Sequence, residues 1–156
     1  MRIGIIGSGG REHAICFCIK KSKNVKNIYC LPGNAGTSTI AENIQINMSD
    51  FHAIKKFTEE KKIDLLIVGP EKPLVDGIVD FFLDTKVKIF GPNQAASQLE
   101  GSKIFTKKLC EKYKIPTAKF GIFLDSKTAL SFLKNCNFPT VIKADGLAAG
   151  KGVYIS

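Results

Sequence analysis

Apolar runs alternate with helix-like stretches from the first residues of the chain. Residues 2–6 (RIGII) predict a strand, followed by a glycine loop and a helix over 11–22. A second strand is expected at 27–31, then the loop Pro32-Gly33-Asn34-Ala35-Gly36, then a short strand over 44–46. Ser49-Asp50 can cap a helix running to about residue 60. Residues 63–68 (IDLLIV) are nearly all apolar, the pattern of a strand buried on both faces of a parallel sheet. A helix over 75–85 and a strand over 87–90 follow. This alternation of strand and helix predicts an open, doubly wound α/β sheet, in which ligands gather at the carboxyl ends of the strands.

The rhythm changes around Glu100-Gly101-Ser102. A helix is expected over 102–113, a strand over 119–124 after Ile115-Pro116, and a helix over 126–136. Residues 140–143 and a segment opening at Val153 then predict two strands around a Gly/Ala loop, an antiparallel hairpin unlike the earlier parallel units. The expected division is 1–101 and 102–156. The second unit stops mid-strand at Ser156, as expected of a piece of a longer protein.

Composition narrows the class. The 156 residues are 44% hydrophobic and 24% charged, as in a globular domain with a core. No run approaches the roughly 18 apolar residues of a membrane span, and MRIGIIGSGGREH is too short an apolar run for a signal peptide. The expected location is therefore the cytoplasm, with no membrane partner. A formal charge of +9 raises nucleic acid as a partner, but the lysines are scattered and Arg2 and Arg11 are the only arginines. A lysine-rich solvated surface, with some attraction for anionic substrates, is expected instead. The five cysteines form no C-x-x-C pair, and Cys16 and Cys18 point to different faces of their helix, so buried or half-buried thiols are expected rather than a metal site.

Three loops carry candidate chemistry in the first unit. Gly7-Ser8-Gly9-Gly10-Arg11-Glu12 lies between a strand and a helix, where backbone can approach a ligand and a helix N-terminus favours an anion. A dinucleotide fingerprint needs glycine where Glu12 stands and an acidic residue closing the second strand, where the chain has Cys30-Leu31-Pro32-Gly33. A phosphate site remains; a NAD site does not. The loops 32–37 and 69–74 fall at the same sheet edge, and Glu71 is the acidic side chain there suited to hydroxyls or an amine.

The segment Val141-Ile142-Lys143-Ala144-Asp145-Gly146-Leu147-Ala148-Ala149-Gly150-Lys151-Gly152-Val153 is the most specific. Its glycines and alanines allow a loop that folds over phosphates and donates N–H groups, with Lys143 a fixed cation on the preceding strand. It is not a Walker A loop: three residues separate Gly146 from Gly150, Gly152 follows the lysine, and a strand follows in place of a helix.

GSGGREHA, PGNAGT, IDLLIVGPE, KIFGP, QLEGSK, IPTA and VIKADGLAAGKGV, in this order, resemble the N-terminal third or so of the phosphoribosylamine–glycine ligase family, over residues 4–153. Ser8 stands where that pattern often has asparagine. The resemblance implies an ATP-grasp enzyme: a Rossmann-like parallel-sheet N domain before the beginning of a nucleotide grasp. It implies purine biosynthesis from glycine, 5-phosphoribosylamine and ATP. Carried over by motif, Lys103, Lys143, Gly146, Gly150, Lys151 and Gly152 are the implied ATP-binding residues, with 146–152 a mobile lid. Gly9, Gly10, Arg11, Asn34 and Glu71 are the implied substrate residues. The Mg²⁺ ligands and most adenine contacts of the superfamily are expected beyond Ser156, so the chain alone is expected not to turn over ATP. Another ATP-grasp enzyme, using bicarbonate or formate, and a binding module without turnover are the rival readings.

Overall fold

A computed structural model describes all 156 residues, Met1–Ser156. The chain divides into two compact units, Met1–Ser97 and Gln98–Ser156.

The first unit is a five-stranded parallel sheet with helices on both faces. Its strands are β1 (Arg2–Gly7), β2 (Asn27–Pro32), β3 (Glu42–Asn43), β4 (Leu65–Val68) and β5 (Lys88–Phe90), in the spatial order β3-β2-β1-β4-β5. The helices are α1 (Gly10–Ile19), α2 (Phe51–Glu60), α3 (Glu71–Val75) and α4 (Ile78–Phe81). The chain runs outward from β1 in one direction, then returns to β1 and continues in the other. The carboxyl ends of β1 and β4, paired Ile6 to Val68, thus flank the crevice where such sheets bind ligands.

Strand alternation builds a core on each face of the sheet. Ile6, Tyr29, Leu31, Leu66 and Val68 point to the side of α2 and α4, where Ile54, Phe57 and Phe82 meet them. Ile3, Ile5, Ile28 and Cys30 point to the side of α1, against Cys16. Gly4 leaves room on the first face: a Cβ there would lie 2.8 Å from Leu66 Cδ1. The thiols of Cys16 and Cys30 lie 3.1 Å apart in the second core, while Cys18 is exposed and Cys110 and Cys136 are half-buried. Burial pushes the Cys16 thiol up and the Cys30 thiol up to about 12. Asp50 caps α2 as its sequence predicts, its carboxylate accepting from Ala53 N at 2.9 Å.

Four expectations need correction. The strand expected over 44–46 lies earlier, at β3. Ile44 N still reaches Cys30 O (2.8 Å), but Ile46 N turns back to Ile44 O (2.8 Å) and the ladder stops. The helix expected over 75–85 is broken into α3 and α4, because Gly77 takes φ +93 between them and ends α3 as a left-handed residue. A helix absent from the sequence reading, α5 (Gln94–Gly101), follows Pro92, with Asn93 Oδ1 accepting from Ala96 N at 2.9 Å. Finally, 119–124 is no strand. It has no neighbour to pair with, and Lys107 holds its approach by donating to Thr117 Oγ1 (2.6 Å) and Ala118 O (3.1 Å).

The second unit holds α6 (Lys103–Lys112), α7 (Ser126–Leu133) and an antiparallel hairpin of β6 (Val141–Lys143) and β7 (Val153–Ile155), with Lys143 opposite Val153. Ser102 and Asp125 cap the two helices from their side chains. Thr140 and Ser156 exchange two backbone bonds of 3.0 Å at the open end of the hairpin. Neither helix contributes a buried residue, and both strands are exposed on both faces. No helix of the chain is long and apolar enough to cross a membrane.

Candidate functional site

Three loops meet at the carboxyl edge of the first unit's sheet. Gly7 and Gly33 are joined across β1 and β2 by a 3.1 Å bond, and Gly69 N donates to Ile6 O at 3.0 Å. The strands therefore release their loops at one level. A pocket of about 380 Å³ opens there, lined by the 8–12 turn, Met48, Pro70 and Glu71. Its size suits a small polar ligand.

Glu12 is the floor of this edge. It is 4% exposed, and its Oε2 accepts from Gly9 N at 2.6 Å. Its carboxyl group occupies the space that side chains at Gly7 and Gly69 would need: a Cβ on Gly7 would lie 2.6 Å from Glu12 Cδ, and one on Gly69 would collide with Oε1. Standing in the first turn of α1, the carboxylate also lies at the favourable end of the helix dipole. The residue that breaks the dinucleotide pattern is thus what shapes the turn. Sequence reasoning missed this role, because the capping signature G-x-x-E lacks the side-chain partner of the usual S/T-x-x-E form.

Arg11 and Glu71 meet in the lining of the pocket. Both terminal nitrogens of Arg11 donate to Glu71 Oε1 at 2.9 Å, and Nη1 also donates to Gly69 O at 3.0 Å. Glu71's own backbone amide, and then Arg11, hold its carboxyl below the usual glutamate range. A carboxyl group with a depressed folded-state pKa contributes to stability above its unfolded pKa. That contribution disappears as pH falls through the folded value. The pair is therefore expected to persist through mildly acidic pH and open only below the ordinary glutamate range. An NMR titration of the Glu71 carboxyl carbon checks this; a midpoint at or above that of an unperturbed glutamate contradicts it.

Asn34 is not among the residues lining the pocket. Its Nδ2 donates to Ser8 O (2.8 Å) and Gly9 O (3.2 Å), and its Oδ1 accepts from Thr37 N (2.9 Å). Behind it, Thr37 Oγ1 donates to Asn43 Oδ1 (2.7 Å) and Asn43 Nδ2 to Asn34 O (2.7 Å). This network ties the 32–37 loop to the glycine turn. Gly33, at φ +76, admits no side chain beside Asn43. Of the expected substrate residues, Gly9, Gly10, Arg11 and Glu71 line one pocket, while Asn34 holds the backbone that frames it.

In the second unit, Lys143 ends β6 and is followed by a turn with Gly146 at φ +84, Ala149 at φ +46 and Gly150 at φ +78. Lys151 N closes onto Ala148 O at 2.8 Å, and Ala144 N reaches Gly152 O at 2.8 Å. Lys103 donates from Nζ to Gly146 O at 2.6 Å, so the structure brings it to the same loop. No three His, Cys, Asp or Glu side chains gather where a metal ion could be held. Asp125 is engaged by Thr128 and Asp145 by the start of α6. These residues do not fit a Mg²⁺ site by themselves.

Comparison with known proteins covers the whole chain. Residues 1–100 match the family model "Phosphoribosylglycinamide synthetase, N domain", and 101–156 match "Phosphoribosylglycinamide synthetase, ATP-grasp (A) domain". The chain is 51% identical over 155 residues to a phosphoribosylamine–glycine ligase of Caldanaerobacter subterraneus subsp. tengcongensis, and 49% identical over 155 residues to one of Clostridium acetobutylicum. Each alignment covers 99% of this chain and 37% of the relative. A crystal structure of phosphoribosylamine–glycine ligase from Thermotoga maritima superposes with a TM-score of 0.77 at 34% identity, over 99% of this chain and 36% of that one. The chain thus spans little more than a third of the length of the relatives it matches.

Proposed function

Because the chain belongs to the phosphoribosylglycinamide synthetase family, we propose that it forms the substrate-binding front of an ATP-dependent ligase joining glycine to 5-phosphoribosylamine. Residues 1–101 act as the sugar-phosphate unit and 102–156 as the opening of the ATP-grasp. In this reaction a glycine carboxylate oxygen attacks the γ-phosphorus of ATP, and the bond to the bridging oxygen breaks to release ADP. The amine of the sugar phosphate then attacks the carbonyl carbon of glycyl phosphate. Phosphate leaves, the amine loses a proton, and glycinamide ribonucleotide remains.

The observation that carries the proposal is the pocket at the carboxyl ends of β1 and β4, lined by the start of α1 and by the Arg11–Glu71 ion pair. The cation and the first-turn N–H groups suit a phosphate, and Glu71 suits hydroxyls or an amine. Gly9 and Gly10 let that backbone come close, and Asn34 fixes its carbonyls. In the second unit Lys103, Lys143 and Lys151 supply positive charge, and Gly146, Gly150 and Gly152 supply a pliable backbone, for the ATP phosphates. Mg²⁺, when bound, would neutralise transferring phosphoryl charge, and the residues present do not supply a ligand set for it. The partners are small molecules, with no role for nucleic acid, and the place of work is the cytoplasm.

The test is ADP release by the natural polypeptide carrying this chain, with ATP, Mg²⁺ and phosphoribosylamine, run with and without glycine. ADP is expected only with both substrates, and the 156-residue chain alone is expected to release none. ADP formation that ignores glycine refutes the ligase reading.

A further inference from the structure

The loop between β6 and β7 is clamped to the start of α6. Asp145 Oδ1 accepts from Ile104 N at 3.1 Å, and the Ser102 hydroxyl donates to the same carboxylate at 3.1–3.2 Å. Beside it, Lys103 Nζ donates to Gly146 O at 2.6 Å. The Ser102 hydroxyl also accepts from Phe105 N at 3.1 Å, so two N–H groups of the first turn of α6 are satisfied, one locally and one from the distant loop. Past this clamp the backbone turns left-handed at Gly146, Ala149 and Gly150. Side chains at Gly146 and Gly150 would meet nothing within 4 Å. The entry of the loop is thus held by side-chain contacts from α6, while its tip is held only within the hairpin, by Lys151 N on Ala148 O and Ala144 N on Gly152 O.

We propose that Asp145 is a positioning residue that locks the entry of the glycine loop onto α6. The segment beyond Gly146 then moves, while Lys103 and Lys143 stay on one rigid frame. Lys103 lies between Ser102 and Ile104, the two residues bonded to Asp145, and Lys143 lies two residues before Asp145 on β6. A single carboxylate therefore ties the backbone that carries Lys103 to the backbone that follows Lys143, in one register. The Ile104 N–H bond, foremost among the causes, holds the Asp145 carboxyl below the usual aspartate range, so the clamp is charged at neutral pH. The catalytic value of this register rests on the proposed ATP reading; the clamp itself does not.

The test uses the natural polypeptide carrying Asp145→Ala or Asp145→Asn. Without ligand, Asp145→Ala is expected to speed amide exchange at Ile104 and trypsin cleavage after Lys151 about fivefold, the factor that loss of a helix-cap contact implies. Asparagine keeps an acceptor for Ile104 and is expected to lie closer to wild type than to alanine. An alanine variant that matches wild type in both rates, or the reverse order of the two variants, overturns the assignment. Should the alanine variant not fold, Ser102→Ala removes the other half of the clamp and is read by trypsin cleavage after Lys151 alone, because losing its cap on Phe105 N itself speeds exchange in α6. In turnover, Asp145→Ala is expected to raise the KM for ATP about fivefold and leave that for glycine unchanged. ATP should also slow wild-type cleavage after Lys151. If ATP has no such effect, the nucleotide reading fails, while the clamp is still judged on the ligand-free rates.

Discussion

Gly7→Ala is expected to lower the unfolding free energy of the N-terminal unit by about 3 kcal/mol, the largest stability effect of any single methyl group added at the glycine turn. Two causes add. Gly7 holds φ +129, a conformation that costs L residues about 1–3 kcal/mol. The new Cβ would also lie 2.6 Å from Glu12 Cδ and Cγ, so a buried, hydrogen-bonded carboxyl group must move. Gly10 provides the control. A Cβ there meets nothing within 4 Å and the residue opens a helix, so Gly10→Ala is expected to be neutral or slightly stabilising. Urea unfolding of both variants reads the difference. In a Glu12→Ala background the steric part should vanish, and Gly7→Ala should then cost roughly the backbone strain alone. Equal costs in the two backgrounds would contradict the place given to Glu12.

On the proposed ligase reading, Arg11→Ala in the natural polypeptide is expected to raise the KM for phosphoribosylamine about 10- to 100-fold, the loss of one or two charge-assisted hydrogen bonds. KM values for ATP and glycine should stay within about twofold. Arg11→Lys should recover little. A point ammonium can replace the charge but not the fork that reaches Glu71 Oε1 from both nitrogens and Gly69 O from one. Glu71→Gln separates the partners: if Arg11 serves only to hold Glu71, both variants should be equally impaired, and the phosphate role fails. If Arg11 also binds the sugar phosphate, its loss should be the more severe.

The strands at the centre of the sheet were legible because their neighbours bury them on both faces. The runs 2–6, 27–31 and 63–68 carry that fact in their composition. β3 was misplaced because a two-residue edge strand is defined by its partner on β2, which no local pattern records. The strand expected over 119–124 has the right residues and no partner. Gly77 was visible as a helix interruption, and so was Asn93 as a cap after Pro92; both are local signals that the helical pattern around them masked. The site divides in the same way. The glycine loops could be placed at the sheet edge from their position after strands. The work of Glu12 and Asp145 could not, because each acts across a distance: Glu12 on Gly69, and Asp145 on Ser102 and Ile104.

The burial of Cys16 and Cys30 leaves Cys18 as the one accessible thiol of the N-terminal unit. With Cys30 pushed up to about 12 and Cys16 raised as well, those two thiols carry almost no thiolate at neutral pH and have no route to a bulky reagent. Cys18 is exposed on α1, the helix whose first turn lines the pocket. A maleimide fluorophore attached at Cys18 would therefore sit on the helix that carries Arg11, about two turns from it. It would report occupancy of the pocket as an optical signal, without any engineered cysteine in the N-terminal unit.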